Sequence, residues 1–301
     1  MNNVIFLMGP TASGKTDFAC QLSEEISVDL ISVDSALVYK NMDIGTAKPD
    51  KSTLRKYPHK LIDIINPEEN YSVASFSNDA KNEIQQSIKN NKTPLLVGGT
   101  SFYFKALEEG LSPLPESQPE LREKLNQTLN EKGLDYLHKE LQKIDPIALE
   151  KINKNDTQRI LRALEVFYIS GKTLTQGQQE PKVNAIKNPI KKIILLPERK
   201  ILHQRIEQRF LDMVENSFID EVKKLKENPK LNADLPAIRC VGYRQIWQYL
   251  EGKINYDEMI ERGIIATRQL CKRQTTWLKK EQNALILKEP DLQKTLDFLS
   301  C

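Results

Sequence analysis

Residues 7–16 read LMGPTASGKT, which matches the G-x-x-x-x-G-K-[ST] pattern of a phosphate-binding loop. An apolar run, Val4–Leu7, precedes the motif, and apolar residues at helical spacing follow it from Phe18 to Ile26. In such a loop, backbone N–H groups and a helix N-terminus surround a phosphate chain, the lysine adds positive charge and the hydroxyl binds Mg²⁺. The stretch therefore predicts a strand, a loop and a helix that bind phosphates, without indicating which molecule carries them.

The composition is that of an ordinary globular protein, with 39% hydrophobic and 28% charged residues among 301. This length allows one large core and a second, smaller one. No apolar run approaches the roughly 18 residues that a membrane helix needs, and no basic segment precedes the first apolar run. The four cysteines, Cys20, Cys240, Cys271 and Cys301, form no C-x-x-C pair. We therefore expect a cytoplasmic protein with reduced thiols and no membrane partner.

The net charge of +3 is unevenly distributed along the chain. Residues 1–180 carry four more acidic than basic side chains, whereas residues 181–301 carry seven more basic than acidic ones. A basic C-terminal part favours a polyanionic partner, although solvated surface lysines alone would give the same count.

Short apolar runs alternate with longer helical patterns, which predicts an α/β fold with a parallel sheet, similar to the core of P-loop NTPases. The strands that we predict are Val4–Met8, Leu30–Val33, Leu61–Ile65, Leu95–Val97 and Ile190–Leu196. Polar or glycine residues follow three of these runs, at Gly9, at Asp34 and at residues 98–100. Because ligands bind at the carboxyl ends of strands in open α/β sheets, these positions are candidates for a common site.

Two polar stretches that contain proline, residues 112–119 and 177–189, interrupt the α/β pattern, and the sequence between them is helical in rhythm. We therefore predict a first part of the core at 1–113, a helical insertion domain at 114–189, and a second part of the core at 190–301 that ends in basic helices. Within the insertion, residues 153–156 read NKND, which matches the guanine-binding pattern of GTPases. That pattern requires a preceding strand, so Asp156 is better interpreted as the N-cap of a helix over Thr157–Ser170 that ends at Gly171.

Asp34 has three interpretations at this stage. It ends the run LISVD, as a Mg²⁺-binding aspartate does in P-loop proteins, it could cap a following helix, or it could act as a general base. Thr100 either lines the same channel with its hydroxyl or belongs to a simple turn.

Arg205 and Arg209 lie one helical turn apart and could reach a diphosphate, or Arg209 could pair with Asp212 on the surface. In the C-terminal helices, Arg268, Lys272 and Lys279 share one face, beside an apolar stripe that includes Ile264 and Leu278. This basic face is explained either by exposure to solvent or by contact with the phosphate backbone of a nucleic acid. The histidines have no metal-ligand spacing, so we expect no zinc.

Seven blocks of the sequence resemble, in order, those of the bacterial tRNA dimethylallyltransferases. They are GPTASGKT, ISVDSALVYKNMDIGTAKP, HKLIDIINP, LLVGGTSFYFKAL, DTQRILRALEV, IRCVGYRQIWQYLEG and ATRQLCKRQTTWL. The resemblance implies transfer of the dimethylallyl group from its diphosphate to N6 of the adenosine immediately 3′ of the anticodon, in tRNAs that read codons beginning with U. It also implies that the phosphates in the loop belong to the leaving group of the prenyl donor and not to a nucleotide.

The resemblance assigns roles to individual residues. Asp34 is implied as the general base and Thr100 as its catalytic neighbour, and Mg²⁺, held by Thr16, as the cofactor. The residues implied to bind the diphosphate are Gly9, Pro10, Thr11, Ala12, Ser13, Gly14, Lys15, Thr16 and Arg209. The residues implied to bind tRNA are Asp34, Ser35, Ala36, Leu37, Thr100, Arg122, Gln158, Arg159, Ile160, Leu161, Arg162, Arg239, Cys240, Val241, Gly242, Tyr243, Arg244, Lys272, Arg273, Gln274, Thr275, Thr276, Trp277, Leu278 and Lys279.

The implied partners are dimethylallyl diphosphate and the anticodon stem-loop of tRNA, which the insertion would clamp, and we expect a monomer. Three departures from the family pattern are Lys60 beside His59, the absence of arginine in residues 76–80, and Cys271. Three alternatives remain: an ATP-dependent small-molecule kinase, a non-catalytic RNA-binding NTPase, and an enzyme that prenylates free adenine nucleotides.

Overall fold

The structure is a computed structural model that describes residues 3–300 of the chain. These residues form two compact units. We call residues 3–108 with 186–300 the core unit, and Glu109–Ala185 the helical unit.

A six-stranded sheet lies at the centre of the core unit. Its strands are β1 Val4–Met8, β2 Val28–Val33, β3 His59–Lys60, β4 Thr93–Gly98, β5 Ile190–Leu195 and β6 Ala284–Leu287. They are all parallel, in the order β3-β2-β4-β1-β5-β6. Every residue of β1 is buried, as expected for a strand of a parallel sheet that is covered on both faces. The predicted α/β fold with a parallel sheet is confirmed.

Two strand predictions differ from the structure. The segment predicted as a strand at Leu61–Ile65 is a turn, and the strand lies just before it, at His59–Lys60. Leu61 and Asp63 have φ angles of 62° and 56°, in the left-handed region, so the chain cannot continue as an extended strand. In addition, β6, Ala284–Leu287, was not predicted from the sequence.

Fourteen helices complete the described chain. In chain order they are α1 Lys15–Glu25, α2 Lys51–Lys56, α3 Val73–Lys89, α4 Ser101–Glu109, α5 Pro119–Lys132, α6 Leu134–Ile144, α7 Pro146–Leu149, α8 Thr157–Ser170, α9 Leu174–Gln179, α10 Arg199–Glu215, α11 Phe218–Lys226, α12 Tyr243–Leu250, α13 Tyr256–Leu278 and α14 Leu292–Ser300. Between residues 3 and 300, none of them has the length and apolar character that crossing a membrane requires.

Helices α10 and α13 pack closely against each other in the core unit. A Cβ at Gly263 of α13 would lie 2.1 Å from the ring of Phe210 on α10, so only glycine allows this approach. The contact places the polar residues of both helices beside the loop that follows β1.

The helical unit consists of α5 to α9 around its own core, which includes Leu137, Leu141 and Leu164. Asp156 caps α8 by accepting a hydrogen bond from the Arg159 N–H, and Gly171 ends the helix in the left-handed conformation. The prediction of a helix over Thr157–Ser170 is thus confirmed, and NKND precedes a helix without forming a nucleotide site.

Candidate active site

The phosphate-binding loop spans residues 9–14, between β1 and α1. Gly14 occupies the N-cap position with a φ of 87°, a left-handed conformation that a side chain would strain. The first residue of α1 is Lys15, and its Nζ lies 3.4 Å from the carbonyl oxygen of Pro10. The loop thus turns its lysine back over itself, as the motif predicts.

Burial lowers the pKa of the Lys15 ammonium to about 8, against a usual value of 10.5. The negative charge of Asp34 opposes this shift, and the positive charge of Arg209 adds to it. An anion bound in the loop would pair with both cations and restore the ordinary pKa of the lysine. The site therefore has an excess of positive charge that an anionic ligand would neutralise.

Two arginines of α10 contact the phosphate-binding loop. The Arg209 guanidinium donates a 2.5 Å hydrogen bond from Nη2 to the hydroxyl of Thr11, and Arg205 donates from Nη1 to the carbonyl of Ser13 over 3.4 Å. Asp212 instead accepts a hydrogen bond from Gln208, so the interpretation of Arg209 as a surface ion pair with Asp212 is wrong. Arg209 lines the cavity described below, whereas Arg205 is not among its lining residues.

Asp34 follows β2 and forms a tight turn with the residues after it. Its Oδ1 accepts hydrogen bonds from the backbone N–H groups of Ala36 at 2.8 Å and Leu37 at 3.3 Å. No helix begins there, and α2 starts only at Lys51, so the interpretation of Asp34 as a helix N-cap is wrong. The turn holds the carboxylate in place and leaves oxygen lone pairs for another partner.

Thr100 follows β4 and contacts the turn of Asp34. Its hydroxyl accepts a 3.3 Å hydrogen bond from the Ser35 N–H, and its own N–H donates to the Val33 carbonyl over 3.3 Å. The ends of β2 and β4 are thereby held together. Both candidate catalytic residues line the same cavity.

The side chain of Gln274, on α13, connects two loops of the site. Its Oε1 accepts a hydrogen bond from the Thr11 N–H at 2.8 Å, and its Nε2 donates to the Gly99 carbonyl at 2.9 Å. The N–H of Ser13 also has a partner, the Pro10 carbonyl at 3.2 Å. These two loop amides thus have acceptors in the protein, and diphosphate binding by the loop stays a prediction.

A cavity of about 390 Å³ opens beside these groups in the core unit. Lys15, Thr16, Asp34, Thr100 and Arg209 contribute its polar wall. The apolar part of the lining, which we call the apolar wall, was not predicted from the sequence and consists mainly of Ile206, Phe210, Met213, Phe218, Tyr243 and Leu270. An apolar wall beside a phosphate-binding loop fits a ligand that combines a diphosphate with a hydrocarbon group.

Glu221 on α11 is a second feature that the sequence analysis missed. Its carboxylate accepts hydrogen bonds from the backbone N–H groups of Asp43, Ile44 and Gly45, at 2.9, 2.8 and 3.3 Å. It also accepts a 2.5 Å hydrogen bond from the hydroxyl of Tyr243, and burial together with this carboxylate raises the pKa of that tyrosine. Glu221 therefore fixes the loop whose Gly45 lines the cavity.

The predicted RNA-binding residues of the core unit divide by exposure. Ser35, Arg239, Arg244, Lys272, Arg273, Thr276, Trp277 and Lys279 are exposed, and Ala36, Leu37, Cys240, Val241, Gln274 and Thr275 are half-buried. In contrast, the side chains of Tyr243 and Leu278 belong to the core, and Gly242 is buried as well. The side chains of Tyr243 and Leu278 thus have a packing role, and contact of these three residues with RNA stays a prediction.

In the helical unit, Gln158 and Arg159 are exposed on α8, whereas Ile160 and Leu161 are buried in the core of that unit. These two side chains pack inside the unit, and contact of the segment with RNA stays a prediction. Arg122 and Arg162 are half-buried and lie 3.6 and 2.8 Å from the fully buried carboxylate of Glu165. That carboxylate holds the two guanidinium groups together at one edge of the unit.

The cavity offers oxygen donors of the kind that Mg²⁺ prefers. Thr16 and Ser32 offer hydroxyl oxygens, and the buried Ser32 Oγ has no hydrogen-bond partner among the described residues. Between residues 3 and 300, no group of three or more His, Cys, Asp or Glu side chains is arranged to hold a metal. The expected Thr16 ligand thus stays a prediction. Cys20, Cys240 and Cys271 are free thiols, and Cys301 lies outside the described residues.

Comparison with known proteins identifies close relatives. Residues 37–281 match the family model of the IPP transferases. The chain is 62% identical to the tRNA dimethylallyltransferase of Ruthia magnifica, over 99% of this chain and 97% of that protein. It is 59% identical to the tRNA dimethylallyltransferase of Vesicomyosocius okutanii, again over 99% and 97% of the two chains.

Solved structures agree with these matches. The full-length tRNA isopentenylpyrophosphate transferase of Bacillus halodurans has a TM-score of 0.73 at 31% identity, covering 100% of this chain and 96% of that one. A eukaryotic dimethylallyltransferase acting on tRNA has a TM-score of 0.82 at 27% identity, covering 100% of this chain and 80% of that one.

Proposed function

The chain belongs to the IPP transferase family, and on that premise we propose that it transfers the dimethylallyl group of dimethylallyl diphosphate to N6 of an adenosine in tRNA. The acceptor in this proposal is the adenosine immediately 3′ of the anticodon, in tRNAs that read codons beginning with U. One observation carries the proposal. Asp34, Lys15 beside the phosphate-binding loop and Arg209 of α10 line one cavity, and apolar side chains form much of the rest of its lining.

The diphosphate of the donor would bind at the loop. As the allylic C–O bond breaks, its electron pair moves to the diphosphate oxygen and positive charge develops on the allylic carbon. Lys15 and Arg209, both half-buried in the cavity, would supply positive charge at the leaving oxygens. The five-carbon group would then lie against the apolar wall, beside the ring of Phe210.

The acceptor adenine must leave the base stack to reach this cavity. Its exocyclic nitrogen is a weak nucleophile, because its lone pair is delocalised into the purine ring. Asp34 would accept the N6 proton as the C–N bond forms, a contribution of roughly 10²–10⁴-fold in rate. The backbone N–H groups of Ala36 and Leu37 keep the carboxylate oriented for this proton transfer.

Mg²⁺ is the cofactor that we propose, and the Thr16 hydroxyl would help to hold it. When bound, it would neutralise charge on the leaving group. Because the protein offers few ligands of its own, the affinity for the ion would depend on the donor substrate.

The exposed basic side chains of the core unit are the proposed contacts for the RNA backbone. Arg239 and Arg244 flank the start of α12, and Lys272, Arg273 and Lys279 lie at the end of α13. Arginine and lysine in such positions neutralise phosphates and release counterions. One chain carries both the donor and the acceptor residues, so we propose that a monomer acts on tRNA in the cytoplasm.

The proposed function is tested with the protein, unmodified tRNA, Mg²⁺ and dimethylallyl diphosphate, followed by mass spectrometry of the digested nucleosides. We expect N6-isopentenyladenosine at the position 3′ of the anticodon in the tRNAs named above. A parallel reaction with ATP in place of the prenyl donor should consume no ATP. Prenylation of free adenine nucleotides with no product in tRNA would contradict the proposal.

A further inference from the structure

From the two hydrogen bonds of Gln274 we infer that it is a positioning residue. It holds two loops at a fixed separation: the phosphate-binding loop, residues 9–14, and the loop after β4, residues 98–101. The inference rests on the proposed function, because it assigns a role within that reaction. Gln274 lies at the RNA-facing end of α13, but its amide points into the protein, to Thr11 on one side and to Gly99 on the other.

The orientation of the amide is determined by its partners. Thr11 presents an N–H donor and Gly99 presents a carbonyl acceptor, so only one of the two amide orientations satisfies both. The reversed amide would place two donors together at Thr11 and two acceptors together at Gly99. Gln274 can therefore serve both loops at once only in the arrangement seen here.

The packing at Gly99 supports the same role. A Cβ at this position would lie 2.5 Å from Nε2 of Gln274 and 3.0 Å from the Gly9 carbonyl. The glycine leaves the space that the amide occupies. The two loops are also joined directly, because the Gly9 N–H donates a 3.2 Å hydrogen bond to the Gly98 carbonyl. Gln274 adds a second connection between the same loops, at Thr11 and Gly99.

A continuous series of contacts runs through this amide. In the loop after β4, Gly99 precedes Thr100, whose hydroxyl accepts a hydrogen bond from the Ser35 N–H beside Asp34. In the phosphate-binding loop, the Thr11 hydroxyl accepts a hydrogen bond from Arg209. The amide thus links the residues proposed to deprotonate N6 with those proposed to bind the diphosphate. A displacement of about 1 Å between reacting groups can cost about 10²-fold in rate, so the separation of these loops matters for the chemistry.

The test compares Gln274→Met, which keeps the length of the side chain but loses both hydrogen bonds, with Gln293→Met on the exposed face of α14. We expect Q274M to lower kcat by about 10- to 100-fold, with the KM for each substrate changed by less than about threefold. Q293M should match the unsubstituted protein, and thermal unfolding should show that both variants fold. A raised KM for tRNA with normal kcat would make Gln274 an RNA contact and would overturn the inference.

A double-mutant cycle tests the partner on the other side. Gly99→Ala should lower kcat by displacing the amide and by bringing its Cβ to 3.0 Å from the Gly9 carbonyl. In the Gln274→Ala background only the Gly9 contact is left, so the same substitution should cause a clearly smaller loss there than in the unsubstituted protein. Losses that simply multiply would show that Gly99 and Gln274 act independently, against the inference.

A measurement without substrates separates this inference from the proposed function. Hydrogen exchange should be about tenfold faster in Q274M than in the unsubstituted protein, both at residues 9–14 and at residues 98–101. Unchanged exchange in both segments would overturn the positioning role even if tRNA is prenylated. Faster exchange in a protein that modifies no tRNA would instead reject the proposed function and keep the connection between the loops.

Discussion

The Arg209 guanidinium donates a 2.5 Å hydrogen bond to the hydroxyl of Thr11, which ties α10 to the phosphate-binding loop. Arg209 lies next to Phe210 in the sequence, and both residues line the cavity. One turn of one helix thus supplies charge for a diphosphate and a ring for a hydrocarbon group. This pairing suits the prenyl donor that we propose for a loop of the NTPase type.

Replacing Arg209 should weaken the stabilisation of the leaving group. We expect Arg209→Ala to lower kcat/KM for dimethylallyl diphosphate by about 10²–10³-fold, and Arg209→Lys, which keeps the charge but loses the fork of donors, by a smaller factor. Steady-state kinetics with varied donor measures both. Arg262→Ala, at an exposed position of α13 where the arginine pairs with Glu258, is the control and should leave the kinetics unchanged.

The lowered pKa of Lys15 predicts an alkaline limit for donor binding. Below about pH 8 the buried amine is protonated and attracts the diphosphate, whereas above that pH it becomes neutral in the free protein. We expect kcat/KM for the donor to fall as the pH rises through about 8, with kcat at saturating donor less affected because bound diphosphate raises the pKa again. Lys15→Arg should be less active but lack this alkaline fall, and an identical pH profile in that variant would contradict the assignment.

Glu221 should stabilise the loop that it holds. Glu221→Gln keeps the size of the side chain but loses its negative charge. In the unsubstituted protein, the carboxylate accepts hydrogen bonds from three backbone N–H groups and from the Tyr243 hydroxyl. We expect the free energy of unfolding to fall by about 1–3 kcal/mol, measured by urea denaturation, with a raised KM for the donor. Glu227→Gln, at an exposed position just after the same helix, is the matched control and should change neither quantity.

The basic end of α13 should bind the RNA backbone. We expect Lys272→Ala to weaken tRNA binding about equally for all substrate tRNAs and to reduce the slope of log K against log salt by about one unit. Lys294→Ala, on the exposed face of α14, should alter neither the affinity nor the slope. Filter binding at several salt concentrations distinguishes the two variants, and equal behaviour would remove α13 from the RNA surface.

The sequence predicted the features that arise from local chemistry. The motif at residues 9–16 specifies a loop with Lys15 at the start of a helix, and Asp156 and Gly171 mark the two ends of α8, because capping depends on neighbouring residues. Strand ends at Asp34 and Thr100 followed from apolar runs in the same way. The family resemblance, which the comparisons confirm, was carried by residues in these blocks.

The features that the sequence did not predict depend on contacts between distant residues. Gln274 and Thr11 are 263 positions apart, and Glu221 lies 178 positions from Asp43, so no local pattern connects them. The resemblance assigned tRNA binding to whole segments of the sequence. These segments include Ile160 and Leu278, although the helical periodicity places both side chains in the core. The strand expected at Leu61–Ile65 failed because two left-handed residues within an apolar run leave no compositional mark.

The account depends on a carboxylate that removes a proton while the phosphate-binding loop holds the leaving diphosphate, and one variant tests this most directly. Asp34→Asn keeps an oxygen that can accept the Ala36 N–H hydrogen bond, so the turn should persist while the base is lost. In single-turnover reactions with saturating dimethylallyl diphosphate and tRNA, we predict a rate lowered by about 10²–10⁴-fold, with tRNA affinity changed less than about twofold. Transfer at the unsubstituted rate would contradict the account, as would weakened tRNA binding with normal chemistry.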